Sequence, residues 1–358
     1  MGHTLLTADE FDVALANKLL GATLSQPVTA IHTQPLGEGV GLMSSIARAT
    51  MTLADNSTET VVFKYVAETD NAAISKGLNF YANEVNFYRN LSRDCPMPTP
   101  QCLYAHVDDE SQDFLLILED HGEAAVGDQL QGCDRTVMTT AFRRAAELHG
   151  QYWGTAHDFA WLNPQNVVAT NNFRRDAIYL PGVEPTLELF PHLFTDNLDT
   201  TVREIGERFA ELFDTAMSGP QTVIHGDYRI DNMLLPTIDG KTDIIAVDWQ
   251  NSGRGNGAHD IAYFSSQSCG PELRGETELT ELKNYHATLQ SVGVKDYSFD
   301  ECLHYYRLNL MITMITPIAV CGTLDSGNDR GLELGRVMLE RSLAALKTME
   351  CEALLREL

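Results

Sequence analysis

Apolar and polar positions alternate in five segments of the first third of the chain: VTAIHTQPL, SSIARATMTL, TETVVFKYV, QCLYAHVDD and DFLLILED. A two-residue period turns one side of a segment to a core and the other to water, so each reads as a β-strand. The turn-forming runs ADNS and DDESQ separate neighbouring strands. Between the third and fourth strands, LNFYANEVNFYRNLSR changes period. Leu78, Tyr81, Val85, Tyr88 and Leu91 recur at helical spacing, one apolar face of a helix. Residues 9–20 read as a further short amphipathic helix. Past residue 120 the helical period takes over, in VMTTAFRRAAELHGQYWG, TTVREIGERFAELFDTAM, HDIAYFSSQS, ELTELKNYHATLQSVGV and FDECLHYYRLNLMITMI, with a last helix from about residue 329. Ser-Gly-Pro at 218–220 stops the second of these. Pro317 predicts a kink or a break in the apolar stretch LNLMITMITPIAVC.

The pattern predicts an α+β protein of two lobes. Residues 1–120 form a small lobe with a mostly antiparallel sheet plus one helix, and residues 121–358 a larger, mainly helical lobe. The connector is LEDHGEAA. A cleft between two such lobes is where a small-molecule site is expected.

Composition narrows the choice of partners. Of 358 residues 44% are hydrophobic and 21% charged, as in folded soluble proteins, and the formal net charge is −25. Nucleic acid and anionic membranes call for a basic patch, so neither is expected as a partner. Residues 1–120 carry −10 and residues 121–358 carry −15, so the acidity is spread as a solvated surface rather than gathered at one site. Seven scattered cysteines form no CxxC and no zinc-finger spacing. They read as reduced, mostly buried thiols of a cytoplasmic protein. The N-terminal residues have early acids and no apolar run of signal-peptide length, and 308–321 is too short to span a bilayer. The sequence carries no signal of oligomeric state.

Candidate chemistry lies in five features that follow one another along the chain. LGEGVGLMSS is a Gly-rich loop between two strands, where Gly37, Gly39 and Gly41 let backbone N–H groups approach phosphate oxygens. Lys64 stands in the middle of the apolar strand VVFKYV, and Glu84 on the following helix is the acid placed to hold it. VIHGDYRIDN then puts Asp227 on a tight turn, suited to take a proton from a hydroxyl. Asn232, five residues on, and Asp248, after the next strand, are hard oxygen ligands suited to Mg²⁺. Arg229 lies where its charge offsets that of a transferred phosphoryl group. The spacing H-G-D-x-x-x-x-N matches the kinase catalytic loop, and Asp-Trp-Gln takes the place of Asp-Phe-Gly. His225 reads as structural, Asp231 as a helix or turn cap and Asp260 as an N-cap that also braces the loop. A dinucleotide-binding reading of the glycines fails, because no G-x-G-x-x-G follows a strand and opens a helix.

On these motifs the chain resembles the aminoglycoside phosphotransferase and choline kinase superfamily of protein-kinase-like enzymes. LGEGVGLMSSIARAT, NEVNFYRNL, FLLILEDHGEAAVGDQLQGC, AAELHGQYWG, VIHGDYRIDNMLL and VDWQNSGRGNGAHDIAYF are similar, more narrowly, to the bacterial branch of the ecdysteroid kinase-like family. The resemblance implies a protein-kinase-like bilobal fold and ATP-dependent transfer of a phosphoryl group to a small-molecule hydroxyl. It further implies that Lys64 contacts the α- and β-phosphates and pairs with Glu84. The backbone around Leu118, Glu119 and Asp120 would be the hinge that meets adenine. Asp227 would be the base, with Asn232 and Asp248 holding Mg²⁺. GEGVG departs from the protein-kinase loop, which bears on how tightly the γ-phosphate is gripped. The acceptor pocket would come from the helical lobe, with Trp153, Trp161, Tyr263, Tyr305 and Tyr306 as aromatic candidates. Two further readings stand beside this one: a non-catalytic nucleotide-binding module, and an aminoglycoside phosphotransferase proper.

Overall fold

The computed structural model describes residues 5, 7–36, 43–66, 71–122, 124–323 and 329–358. Gly37, Gly39 and Gly41 lie outside the described residues. The chain divides into two compact units, residues 1–124 with 246–251, and residues 125–245 with 252–358.

The first unit is built on β1 (Val28–Leu36), β2 (Ser44–Leu53), β3 (Thr58–Val66), β4 (Cys102–Val107) and β5 (Phe114–Glu119), in the order β1-β2-β3-β5-β4. Every neighbouring pair is antiparallel, with Lys64 of β3 opposite Ile46 of β2 and Leu116 of β5. One side of β3 places Val61, Phe63 and Tyr65 in a core with Ala47, Ala49 and Met51 of β2. That core is closed by Phe11 and by α1 (Val13–Leu20), whose first turn is capped by Asp12 accepting from Leu15 N at 2.8 Å. A short α2 (Asn71–Gly77) precedes α3 (Phe80–Asn90), the helix read from residues 78–91. Tyr81 of α3 stacks on Phe114 of β5 with centroids 4.3 Å apart. Phe87 stacks on Trp249 at 3.7 Å and 5°, which is how the segment 246–251 joins this unit. Both rings are fully buried.

The second unit is mainly helical. The helix α4 (Arg135–Gln151), capped by Asp134 accepting from Val137 N at 2.9 Å, packs along the helix Pro271–Ser291. The helix Ala258–Ser268 is buried along its whole length. It carries serines and a glutamine into the interior because each has a partner there. Ser265 Oγ donates to Glu278 at 2.9 Å, and Gln267 Nε2 donates to Ser342 Oγ at 2.8 Å. Among the described residues no helix is long and apolar enough to cross a membrane.

Two expected helices are divided. TTVREIGERFAELFDTAM is not one helix but Leu198–Glu207 and Phe209–Met217, parted at Arg208 (φ −96°, ψ 7°), whose guanidinium donates to Leu355 O at 2.8 Å. FDECLHYYRLNLMITMI ends at Thr313, and a new helix, Ile315–Thr323, begins beyond Met314 and contains Pro317. Proline has no N–H to donate back to residue 313, so the chain breaks one turn before it. The helix Leu180–Leu189, with Pro185 inside it, lies in a stretch for which the sequence pattern predicted no element.

The Phe87–Trp249 stack is the aromatic link between the rest of the first unit and the segment carrying Asp248. Trp249→Ala is expected to cost about 3–5 kcal/mol. Denaturant unfolding followed by hydrogen exchange in α3 measures it. A loss under about 1 kcal/mol would show that the segment is held by other means.

Candidate active site

In the first unit the lysine foreseen in an apolar strand is only 5% exposed. Its Nζ lies 2.7 and 2.6 Å from the two oxygens of Glu84, itself 1% exposed, and 2.9 Å from Asp248 Oδ1. Burial alone pulls an ammonium toward its neutral form. Here Asp248 and Glu84 outweigh burial and hold Lys64 above the ordinary lysine range, so it stays charged. Asp248 takes a left-handed backbone (φ 65°). Its second oxygen accepts from Gln250 Nε2 at 3.2 Å, and Asn83 Nδ2 donates to Gln250 O at 3.3 Å. At the end of β5, Glu119 N donates to Gln101 O at 2.9 Å. Asp120 accepts both arms of Arg48, at 2.7 and 3.1 Å. Arg48 is a partner that the sequence reading did not name.

In the second unit the strand Gln221–Ile224 runs into His225, Gly226 and Asp227. Gly226 has φ 79°, which favours glycine and lets the chain reverse within one residue. The turn is fixed by Asp260, near the start of the helix Ala258–Ser268. One of its oxygens accepts from His225 N at 2.7 Å and the other from Gly226 N at 3.0 Å. Asp260 is therefore a brace, as read, and stands inside its helix rather than at the cap. Behind it, His149 Nε2 lies 3.1 Å from Asp260 Oδ2, and His149 Nδ1 lies 2.8 Å from Tyr285 Oη. Burial keeps the Tyr285 hydroxyl protonated, and the His149 ring links it to the Asp260 carboxylate.

Asp227 is thus presented on a rigid turn. Asn232 Nδ2 donates to Asp227 Oδ2 at 2.9 Å and to Asp227 O at 2.8 Å. Arg229 Nε stands 3.2 Å from Asp227 Oδ1. Burial acts to raise the carboxyl, but Arg229, then His225, and the hydrogen bonds from Asn232 and Tyr263 overcome it and hold Asp227 below the usual carboxylate range. The amide N–H₂ of Asn232 is used on Asp227, which leaves its carbonyl oxygen as the hard donor it can offer. Arg229 Nη1 in turn donates to Gln129 Oε1 at 2.9 Å. The backbone of Gln129 donates to Asp231 Oδ1 at 2.5 Å. Gln129, 1% exposed, was passed over because GDQLQGC was read only as a mark of resemblance. Of the aromatic candidates, Tyr263 touches Asp227, whereas Tyr306 is a core residue that donates to Glu278.

Among the described residues no three His, Cys, Asp or Glu side chains gather as a metal site. Magnesium does not require this: one carboxylate, one amide oxygen and phosphate oxygens with water are enough. Asp248 in the first unit and Asn232 in the second each carry an oxygen of the kind that ion takes.

Because Arg229 is the largest influence lowering Asp227, Arg229→Gln should move the Asp227 titration upward toward the ordinary carboxylate value. Carbon-13 NMR of aspartate-labelled protein reads this directly. In the wild type, Asp227 stays ionised until the pH falls through a value below 3.8. The stability it contributes is present above the ordinary carboxylate value and is lost on the same descent. An unmoved titration in the variant would remove Arg229 from this role.

The sequence profile described as the ecdysteroid kinase-like family matches residues 38–299. No curated protein matches the chain in sequence. Among solved structures, the GDP complex of a point variant of aminoglycoside 2′-phosphotransferase-IIIa is 12% identical, with a TM-score of 0.55, over 94% of this chain and 98% of that one. The GDP complex of the wild-type enzyme is also 12% identical, at TM-score 0.50, over 93% and 99%. An ethanolamine kinase of Plasmodium vivax is 9% identical, at TM-score 0.47, over 87% and 81%. The fold is that of the protein-kinase-like phosphotransferases.

Proposed function

The chain belongs to the ecdysteroid kinase-like family, and on that premise we propose that it is a small-molecule kinase transferring the γ-phosphoryl group of ATP to a substrate hydroxyl. The observation that carries this reading is the setting of Asp227 among Asn232, Arg229 and the turn braced by Asp260. Asp227 is a carboxylate oriented by Asn232 and kept ionised by Arg229 on a turn that Asp260 fixes. A base of this kind receives the hydroxyl proton as the oxygen attacks phosphorus. The bond from the γ-phosphorus to the bridging oxygen breaks, and ADP leaves. Catalysis comes from position and charge, with no covalent intermediate on the protein.

Each unit contributes groups suited to this. Lys64, pinned by Glu84, is a fixed positive charge for the nucleotide phosphates, and the end of β5 at Glu119 and Asp120 is the adenine-facing segment. Gly37, Gly39 and Gly41 supply backbone donors to the phosphates. Asp248 and Asn232 are the residues that would hold Mg²⁺, which when bound would neutralise phosphate charge. Arg229 serves twice, keeping Asp227 ionised and offsetting charge on the moving phosphoryl group. The acceptor is a small molecule with a free hydroxyl. The GDP complexes of the phosphotransferases of like fold support a nucleotide as the second substrate.

Calorimetric titration with ATP, with and without Mg²⁺, tests the reading. Wild type should bind ATP in a magnesium-dependent manner, and Asp248→Ala should lose that dependence. Equal affinity with and without the ion would refute the metal role. Asp227→Asn should keep nucleotide binding and lower turnover against a panel of hydroxyl compounds by at least about a hundredfold. Unchanged turnover would remove Asp227 as the base. Binding without turnover in the wild type, across amines, sugars and sterols alike, would favour a non-catalytic nucleotide-binding module.

A further inference from the structure

GDQLQGC ends in a thiol that nothing so far has used. Cys133 Sγ lies 3.3 Å from Cys269 Sγ. The two backbones are already in contact, since Cys133 N donates to Ser268 O at 2.9 Å. A disulfide needs sulfurs about 2.05 Å apart, so two thiols already 3.3 Å apart, one of them bonded through its backbone N to the residue before the other, require only a small side-chain movement to close one. The approach is built into the loop. Gly132 has φ 77°, and a Cβ there would stand 2.8 Å from Ser268 O and 2.7 Å from Arg341 Nη2, so the close passage depends on glycine. Cys269 is fully buried, whereas Cys133 is partly exposed and open to a reagent.

The surroundings give such a bond a consequence. Cys133 closes the segment that holds Gln129, the acceptor for Arg229 Nη1. Arg341 clamps that segment by donating from Nη1 to Gln129 O at 2.6 Å and from Nη2 to Leu130 O at 3.3 Å. Cys269 follows Ser268, whose Oγ accepts from Ile230 N at 3.0 Å in the loop carrying Asp227 and Asn232. Both thiols are therefore one short step from the two sides of Arg229.

We propose that Cys133 and Cys269 form a redox modification site, at which a small-molecule disulfide closes an intramolecular bridge that ties residues 129–133 to the end of the helix Ala258–Ser268, whose Ser268 holds the loop 229–232 through Ile230 N. The Cys133 thiolate attacks one sulfur of the reagent, whose S–S bond breaks and releases one thiolate. The Cys269 sulfur, after losing its proton to solvent, attacks Cys133 Sγ and expels the second thiolate. Two protein thiols are oxidised to one disulfide, and one reagent disulfide is reduced to two thiols. Burial, the Cys133 sulfur and Glu278 hold the Cys269 thiol well above its ordinary value against the opposing charge of Arg274, so closure of the bridge quickens as the pH rises.

Bond formation does not rest on the kinase reading. The test uses the full chain, oxidised glutathione and peptide mapping without reductant. The expected product joins the Cys133 and Cys269 peptides, forms faster toward about pH 9 than at about pH 7, and reopens with dithiothreitol. Cys269→Ser should trap glutathione on Cys133, and Cys95→Ser should leave the bridge yield unchanged. Hydrogen exchange of the oxidised wild type should slow in residues 129–133 and 229–232. Glutathione remaining on wild-type Cys133 with no bridge, or bridges to other cysteines in equal yield, would overturn the site. A bridge with unaltered exchange in both segments would overturn the coupling to the loop.

Discussion

An ammonium group almost without access to water sits at the centre of the first unit, and much of that unit can be understood as the means of keeping it charged. Removing an ion from water costs several kcal/mol unless opposite charge is supplied at contact distance. Lys64 receives it from α3 through Glu84 and from the segment 246–251 through Asp248. The helix can supply Glu84 only while Tyr81 is seated on Phe114 and Phe87 on Trp249. Charge and packing are thus mutually dependent. Loss of the aromatic seat displaces the counter-ions, and loss of a counter-ion leaves a buried charge unmatched.

The second unit solves a related problem with a helix. Ala258–Ser268 runs beside the residues 225–232 and holds them at three points along its length. Asp260 takes the N–H groups of His225 and Gly226, Tyr263 reaches Asp227, and Ser268 accepts from Ile230. Polar residues inside a fully buried helix are costly unless satisfied, and here the partners that satisfy them are the loop itself. The turn is consequently as rigid as the core behind it. That suits a group whose work depends on position.

Much of this could be read in the residues. The first three strands fall where alternation puts them, because β-branched and apolar residues on a two-residue period have few other ways to bury one side. Lys64 and Glu84 could be paired on chemistry alone, because a lysine in an apolar strand requires an acid. What escaped the sequence was long-range or local in a way periodicity does not register. The break at Arg208 leaves the amphipathic pattern of residues 200–217 intact. Of the prolines of 180–189, one stands in the first positions of the helix and only Pro185 lies inside it, which periodicity alone does not predict. Gln129 and Arg48 acquire meaning only from partners about 100 and 72 positions away.

The membership of residues 246–251 in the first unit also bears on how the protein is made. Chain order places these six residues far beyond the rest of that unit, which otherwise ends at residue 124. A ribosome adding about 5–20 residues per second leaves an interval on the order of ten seconds between the two pieces. During it the sheet and α3 have emerged, but Phe87 lacks its stacking partner and Lys64 lacks one of its two carboxylates. The nascent unit is therefore a half-closed intermediate that waits for its last segment, the period in which a chaperone or a protease would meet it. A gene fragment cut at residue 124 would hold the protein in that condition permanently.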